Sequence, residues 1–367
     1  MKKILIFMIL TFLLSLSVKA DDGYVTQYNN VGADKINEGL TEQTREFFNQ
    51  NNIDAKNPDW VNQITSGSVF SHILKLLKTG IKTPIKTGVL IASIIFLSAS
   101  LTAFSISSRF ETAIYAAVIV ISALIATNVW QSIDMVVDAI KGCSSFMMSF
   151  VPVFASIVAL SGKMVTATAM SALLLGACEV TSFVASFVVL PLMGGYLALS
   201  IASGVSPLLN SSGIVDSVKK LSMWIMSLLS ALFVGVLSIQ TAVNSAADSV
   251  TLRTAKFILG TSVPIAGGVL SEAVSTISAS MGLLRSSVGI YGVVALIFML
   301  LPIVIEIVLW RFALMLNISL AELFSLNKIT GILRAVDAVL SVLLGVSLLV
   351  GGMFIISLSV VVTAGKT

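Results

Sequence analysis

Long apolar runs separated by short polar turns dominate the chain from residue 88 onward. Six of these runs reach the length of about 20 residues that an α-helix needs to cross the hydrocarbon of a bilayer. They cover residues 88–108, 112–130, 180–201, 221–241, 288–310 and 338–362. The pattern therefore predicts an all-α fold, that of a polytopic helical membrane protein with six spans.

Two further apolar stretches, residues 150–177 and 262–284, are harder to interpret. The first is interrupted by a Ser-Gly-Lys sequence at 161–163, and the second by glycines, a serine and a glutamate within 267–272. Apolar pieces of about ten residues on either side of an interruption indicate re-entrant hairpins or discontinuous helices. Complete but kinked spans are the alternative interpretation.

Proline spacing indicates an internal repeat in the membrane region. Pro152 and Pro191 are 39 residues apart. Pro264 and Pro302 are 38 residues apart, so the second pair repeats the spacing of the first. Repeats built on broken helices either line a polar cavity, as in transporters, or only build a symmetric bundle. The predicted parts are a first span at 88–111, repeat unit 1 at 112–220, repeat unit 2 at 221–337, and a final span and tail at 338–367.

The first residues have the three parts of a secretory signal peptide. Lys2 and Lys3 precede an apolar stretch that is too short to span a bilayer, and Ala20 supplies the small residue for cleavage. We therefore assign residues 1–20 to a signal peptide, with an uncleaved anchor as the alternative. In both cases the polar segment that begins at residue 21 lies outside the cytoplasm.

Residues 21–87 form an extracytoplasmic polar segment. Its first forty residues carry eight acidic and three basic side chains, so we expect this part to bury little and to form no independent core. Apolar residues then alternate with lysines over residues 69–87, which predicts an interfacial amphipathic helix, interrupted near Pro84. The only histidine, His72, is expected on its surface. The lysines are Lys75, Lys78, Lys82 and Lys86.

Composition and charge narrow the class of protein further. Apolar residues make up 56% of the chain and charged residues 11%, against roughly a quarter in soluble domains, which excludes a soluble fold. The net charge is +4, but the basic residues are scattered between apolar runs instead of clustering on one polar face. The positive balance therefore reflects membrane topology and not nucleic-acid binding.

Charges within apolar stretches are candidate functional residues, because an ionisable side chain there costs about 2.5–3.5 kcal/mol. Lys163 and Glu272 fall at corresponding interruptions of the two broken segments, where they would pair along a solute pathway or be solvated at the interface. Glu179 is a third candidate, in a turn or as a buried proton carrier. Glu306 either extends toward the interface or pairs with Arg311.

Enzyme chemistry has no support in the sequence. Cys143 and Cys178 are too few and too far apart for a thiolate metal site. A disulfide between them is the alternative that the sequence leaves undecided. No phosphate-binding loop and no Ser/His/Asp set is present, so we predict no catalytic residues, no metal and no cofactor. Glycines do predict close helix packing. They are Gly194-Gly195, Gly267-Gly268, Gly289 with Gly292, and Gly345 with Gly351-Gly352.

Three stretches, residues 150–162, 260–268 and 287–294, carry a resemblance to a known family. They read FVPVFASIVALSG, GTSVPIAGG and SVGIYGVV. The chain resembles the stage III sporulation protein AE family of endospore formers, from the signal peptide through the whole membrane region. The resemblance implies a multi-pass protein in the mother-cell membrane around the engulfed forespore. It supplies no catalytic residues.

The same resemblance implies partners. They would be the stage III sporulation proteins AA (an ATPase), AB, AC, AD, AF, AG and AH (the last two forming rings), stage II sporulation protein Q, and an Oxa-type membrane insertase that assists folding. These proteins would form a channel or feeding apparatus needed for late forespore gene expression. The lipid bilayer is a further expected partner, and nucleic acid is not. We expect a membrane subunit of that complex, which forms or gates a solute pathway. An autonomous secondary transporter and a non-conducting scaffold for the ATPase and rings are the alternatives.

Overall fold

A computed structural model describes most of the chain, namely residues 22–57, 59–103, 109–161, 163–205, 217–218, 220–235, 238 and 267–363. All regular structure in these ranges is helical, which confirms the predicted all-α class. The predicted signal peptide, its cleavage residue Ala20, and Pro264 lie outside the described residues.

The helices fall into a short N-terminal group and a long group. The short ones are α1 (Asp22–Asn30), a 3-10 helix (Ala33–Gly39), α2 (Glu42–Gln50), α3 (Trp60–Gln63) and α4 (Ser66–Gly80). The long group comprises α5 (Lys82–Ala103), α6 (Arg109–Leu160), α7 (Met164–Phe183), a π-helix (Val184–Val189), α8 (Leu190–Val205), α9 (Lys220–Gly235), α10 (Gly267–Leu323) and α11 (Asn327–Thr363).

Five helical stretches are long and apolar enough to cross a membrane, and α9 adds a shorter apolar helix. Each of the six predicted spans overlaps one of these six. The five stretches are Gly67–Thr102, Ala113–Leu160, Ala167–Gly204, Met281–Leu323 and Asn327–Ser359. At 1.5 Å per residue the 48 residues of the second extend about 72 Å, more than twice the roughly 30 Å of bilayer hydrocarbon. Part of such a helix must therefore lie outside the hydrocarbon.

The first interrupted stretch is a helical hairpin. Helix α6 ends at Leu160, the chain turns at 161–163, and α7 packs back along α6. The turn is closed by a hydrogen bond from the Lys163 backbone N–H to the Val158 carbonyl (3.2 Å). Pro152 lies inside α6 without ending it, although a proline there removes one backbone hydrogen bond. The interruption is thus at the Ser-Gly-Lys sequence, and the kinked-span interpretation is wrong for residues 150–177.

The second interrupted stretch is not broken where the structure describes it. Helix α10 runs from Gly267 to Leu323 through the predicted interruption at 267–272 and through Pro302. Glycine costs a helix about 1 kcal/mol, which the propagation of a long helix outweighs. The prediction of a broken helix is therefore wrong for residues 267–284. Because the turn at 161–163 has no counterpart in α10, the internal repeat stays a prediction.

Contacts between the long helices define their directions. Helix α5 runs parallel to α10, since Gly88 lies against Ala313 and, further along both helices, the Phe96 and Phe324 rings are 5.4 Å apart. Helix α11 returns antiparallel to α10. Its Asp337 pairs with Arg311, and its Gly351 accommodates the Leu300 side chain. The α10–α11 turn at 324–326 therefore lies at one end of the bundle, which we call the turn end.

The N-terminal segment, residues 22–64, packs at the other end. Phe47 stacks on Phe298 of α10, and Gly39 lies against Phe146 of α6. The expectation that this segment buries little is therefore wrong. Its apolar side chains occur singly or in pairs among polar residues, and the long helices complete the core. The buried ones are Tyr24, Tyr28, Ala33, Ile36, Leu40, Phe47, Phe48, Ile53, Ala55 and Trp60.

Labelling of introduced cysteines tests this arrangement. Asn49 is exposed on the N-terminal segment, and Asn327 is exposed at the turn end. When the protein is produced in the cytoplasmic membrane of vegetative cells, whose medium contacts the extracytoplasmic side, we expect Asn49→Cys to react with a membrane-impermeant maleimide in intact cells, and Asn327→Cys only after permeabilisation. The parent protein is the control, because its Cys143 and Cys178 are both buried. Equal labelling of both variants in intact cells would contradict the placement on opposite sides.

Candidate partner-binding platform

Five buried aromatic side chains join the N-terminal segment to α10. The Phe47 and Phe298 rings stack with centroids 4.4 Å apart, and the Phe48 and Tyr291 rings meet edge to face at 5.2 Å. Trp60 meets Tyr291 edge to face at 5.7 Å. Each such ring pair stabilises the fold by about 0.5–1.5 kcal/mol beyond the contribution of the apolar area that it buries. We call these five side chains, Phe47, Phe48, Trp60, Tyr291 and Phe298, the aromatic seam.

Two hydrogen bonds orient the aromatic seam. The Trp60 indole N–H donates to Ser287 Oγ at 3.2 Å, and the Tyr291 hydroxyl donates to Asn37 Oδ1 at 2.6 Å. Both bonds connect the N-terminal segment to α10 across more than 200 residues of sequence. Because buried donors without acceptors are costly, these bonds select one orientation of the segment on the helix.

His72 lies at the edge of the aromatic seam. Its ring is half-buried, with its centroid 4.3 Å from that of Phe47 and 5.6 Å from that of Phe298. The sequence predicted a surface side chain, whereas the structure places the imidazole against two aromatic rings. Helix α4 is thereby attached to the N-terminal segment as well as to α10.

Two tyrosines hold the N-terminal segment together internally. The Tyr24 hydroxyl donates to the Ala55 carbonyl at 2.7 Å, and the Tyr28 hydroxyl donates to the Ala33 carbonyl at 3.0 Å. Burial raises the pKa of Tyr24 to about 12 and raises the pKa of Tyr28 as well. Both phenols therefore remain protonated donors at physiological pH.

Gly39 allows direct backbone contact between the segment and the long helices. A Cβ atom at this position would lie 2.9 Å from the Phe146 Cα, closer than real Cβ contacts. The obstacle is backbone, which cannot rotate away as a flexible side chain can. The 3-10 helix therefore packs against α6, while the aromatic seam joins the segment to α10. The segment is thus held on two sides.

The outer surface of the docked segment carries a polar hollow of about 470 Å³. Arg45 lies at its edge and donates hydrogen bonds to the carbonyls of Asn37 and Glu38, both at 3.1 Å. Four of its ten lining residues are asparagines, whose amide side chains offer paired donors and acceptors. The polar lining residues are Asn37, Arg45, Asn49, Asn52, Asp54, Asn57 and Tyr291. Such a surface suits the recognition of a polar protein partner, and we call the docked segment, residues 22–64, with this hollow on its surface, the platform.

The structure does not test the predicted pairing of Lys163 with Glu272. Lys163 is half-buried at the residue preceding α7, and Glu272 lies in α10 with its side chain outside the described part of the protein. The pairing stays a prediction. Glu179 is exposed and lies within α7 rather than in a turn, and its role as a pathway residue also stays a prediction.

The predicted prolines have different local roles. Pro152 and Pro302 are internal to long helices. Pro191 follows the π-helix Val184–Val189 and is the second residue of α8. A proline has no N–H for the residue four positions earlier, and wider π turns of this kind accommodate that loss.

One ion pair between two long helices, formed by Arg311 and Asp337, was not predicted from the sequence. Arg311 is bound by Asp337, with Nε–Oδ1 at 2.8 Å and a second guanidinium N–H on Oδ2 at 3.3 Å. The alternative pairing of Arg311 with Glu306 is therefore wrong. Arg285 is also buried in α10, at 3% exposure. A charge inside a run of apolar residues was the only available signal for either arginine.

Metal and thiol chemistry find no support in the described residues. Cys143 and Cys178 are both buried free thiols. The disulfide that the sequence left as an alternative is therefore not formed. No group of three His, Cys, Asp or Glu side chains in the described ranges is placed to hold a metal ion. Polar recognition is the chemistry that the platform offers.

Together the long helices and the docked segment define a class, that of an all-α, multi-pass membrane protein carrying a fixed polar platform at one end of its bundle. A family model described as Stage III sporulation protein AE matches residues 42–365. The chain belongs to the stage III sporulation protein AE family, which confirms the resemblance seen in the sequence.

A curated relative gives the same result. The chain is similar to Stage III sporulation protein AE of Bacillus subtilis (strain 168), with 27% identity over 253 residues. The alignment covers 69% of this chain and 63% of the length of the relative. No solved structure matches the chain.

Proposed function

We propose that the protein is an integral-membrane subunit of the channel complex that links mother cell and forespore and is required for late forespore gene expression. Its location would be the mother-cell membrane surrounding the forespore. The platform would face the space between the two membranes and bind a ring-forming subunit there. Family membership supports the assembly, and the aromatic seam supports the role of the platform.

The observation that carries this proposal is the docking of the N-terminal segment. A polar segment that only connected a signal peptide to the first span would need neither five buried aromatic residues nor two hydrogen bonds to α10. Fixing the segment lowers the entropy cost of binding a partner, because its surface is ordered before the encounter. The docked segment is therefore suited to holding a second protein in a defined orientation.

Autonomous transport is the second candidate function. It rests on broken helices, and the described residues contain one such interruption, at 161–163, while α10 is continuous. The scaffold function needs no broken helix. The structural observations therefore favour a subunit that binds partners over an independent transporter.

Crosslinking in sporulating cells tests the proposal. The double variant Asn49→Arg/Asn57→Arg places two long cations in the hollow, and we expect capture of stage III sporulation proteins AG and AH to fall at least tenfold, in line with the loss of a central interface contact. The matched control is Asn29→Arg/Asn30→Arg, which adds the same charge at exposed positions of α1.

Three results would contradict the proposal. Unchanged capture by the hollow variant would reject the platform, and an equal loss in the control would attribute the effect to charge alone. Solute uptake by vesicles that contain only the purified protein would support the autonomous transporter instead.

A further inference from the structure

An open apolar groove of about 320 Å³ runs between α10 and the junction of α4 with α5. Its walls are aliphatic and aromatic, and its floor is formed where Gly88 approaches Asn317. A Cβ atom at Gly88 would lie 3.3 Å from Asn317 Nδ2, so the glycine permits this close approach. The wall residues used below are Ile81, Ile85 and Val89 on one side and Leu309, Phe312 and Leu316 on the other.

The groove opens outward and is not covered by another described element. Val89, Phe312 and Leu316 are 60%, 61% and 58% exposed. Exposed apolar residues continue along α5 beyond the groove, at Phe96 and Leu97. In a membrane protein a continuous apolar surface of this kind faces acyl chains.

A row of lysines borders the same groove. Lys78, Lys82 and Lys86 are spaced by four residues, so they follow one another along one side of α4 and α5, next to the row that contains Ile81 and Ile85. All three lysines are exposed. The helical spacing therefore places the lysine row beside the Ile81–Ile85 wall, while the groove lining itself carries no charged side chain.

No counter-charge lies beside these lysines in the part of the chain that the structure describes. The sequence contains no Asp or Glu between residues 60 and 110, and no carboxylate of the described residues lies within 4.0 Å of the three ammonium groups. Like charges four residues apart on a helix repel one another. An external anion would therefore be attracted to the row.

We propose that this groove binds an anionic phospholipid. One acyl chain lies between Ile85 and Phe312, and the phosphate contacts Lys82 and Lys86. An anionic lipid is the ligand that satisfies both features, since a soluble anion leaves the apolar walls exposed and a zwitterionic lipid leaves the lysine row unneutralised. This inference is independent of the proposed function.

Native mass spectrometry of the full-length protein in detergent tests the binding. With phosphatidylglycerol and phosphatidylcholine of identical acyl chains, we expect preferential retention of phosphatidylglycerol that weakens as salt is added. Lys82→Gln/Lys86→Gln is expected to weaken phosphatidylglycerol binding roughly twenty-fivefold, from about fivefold per lysine. Lys35→Gln/Lys56→Gln removes the same charge from the N-terminal segment and is expected to leave binding unchanged.

A second variant tests the groove separately from the charge. Ala92→Phe fills the groove while all lysines remain, and we expect it to weaken phosphatidylglycerol binding. Competition by soluble glycerol phosphate as strong as that by the lipid would show a simple anion site and overturn the proposal. Equal losses in the Lys82/Lys86 and Lys35/Lys56 variants would also overturn it, by showing non-specific attraction.

Discussion

Replacing Trp60 with alanine is expected to release the N-terminal segment from the long helices. Trp60 is fully buried, its ring contacts Tyr291, and its indole N–H donates to Ser287. Loss of a buried tryptophan side chain costs about 3–5 kcal/mol. If this cost falls on docking, hydrogen exchange of the α1 and α2 amides should accelerate by about two to three and a half orders of magnitude.

Two further variants separate docking from general destabilisation. Trp60→Phe keeps a ring but removes the N–H, so it should cost about 1 kcal/mol plus a small packing loss. Phe70→Ala removes a ring that is 62% exposed and should change stability by less than about 0.5 kcal/mol. Unchanged exchange in Trp60→Ala would show that the aromatic seam does not hold the segment.

Breaking the Arg311–Asp337 pair is expected to loosen the α10–α11 hairpin. The two side chains are 35% and 30% exposed, and they share two hydrogen bonds. Removing one partner of a fully buried pair costs about 3–5 kcal/mol, so a partly exposed pair should cost about 1–3 kcal/mol. Thermal unfolding of Arg311→Leu in detergent measures this loss.

The protein contains a matched control for that measurement. Arg334 pairs with Glu322 at 2.7 Å near the same turn, but the two side chains are 65% and 45% exposed. Glu322→Gln should therefore cost less than about 1 kcal/mol. The exchange Arg311→Asp/Asp337→Arg should recover part of the stability lost in Arg311→Leu. Equal losses at the two pairs would contradict the role assigned to burial.

The spans were predictable because their signal is local. About 20 consecutive apolar residues can satisfy their backbone polar groups in lipid only as a helix. Each predicted span accordingly overlaps an apolar helix of the structure. The chain reversal at 161–163 was also predictable, since glycine and two polar residues interrupt an apolar run there.

The second predicted interruption failed for a reason that residue counting does not capture. Glycines at 267–268 weaken a helix but do not obstruct it, and the helix that follows extends to Leu323. The turn at 161–163 differs because α7 packs back along α6 immediately after it. Packing between two helices, and not the small residues alone, determined which interruption became a turn.

The platform was not predictable from the N-terminal sequence. Its apolar residues occur only singly or in pairs among asparagines and acidic residues, and the rings that complete their core are in α10. Trp60 meets Ser287 across 227 positions, and Asn37 meets Tyr291 across 254. No local pattern reports on a partner so distant, so the segment was expected to bury little.

The sequence by itself determined that this is an all-α membrane protein, because burial of apolar surface is non-directional and depends on the count and spacing of apolar residues. Only the tertiary structure decided that Arg311 binds Asp337, that the aromatic seam fixes the platform, and that three lysines border a groove. Each of these depends on ring geometry, hydrogen-bond direction or the approach of separate helices, which arise when the chain is folded.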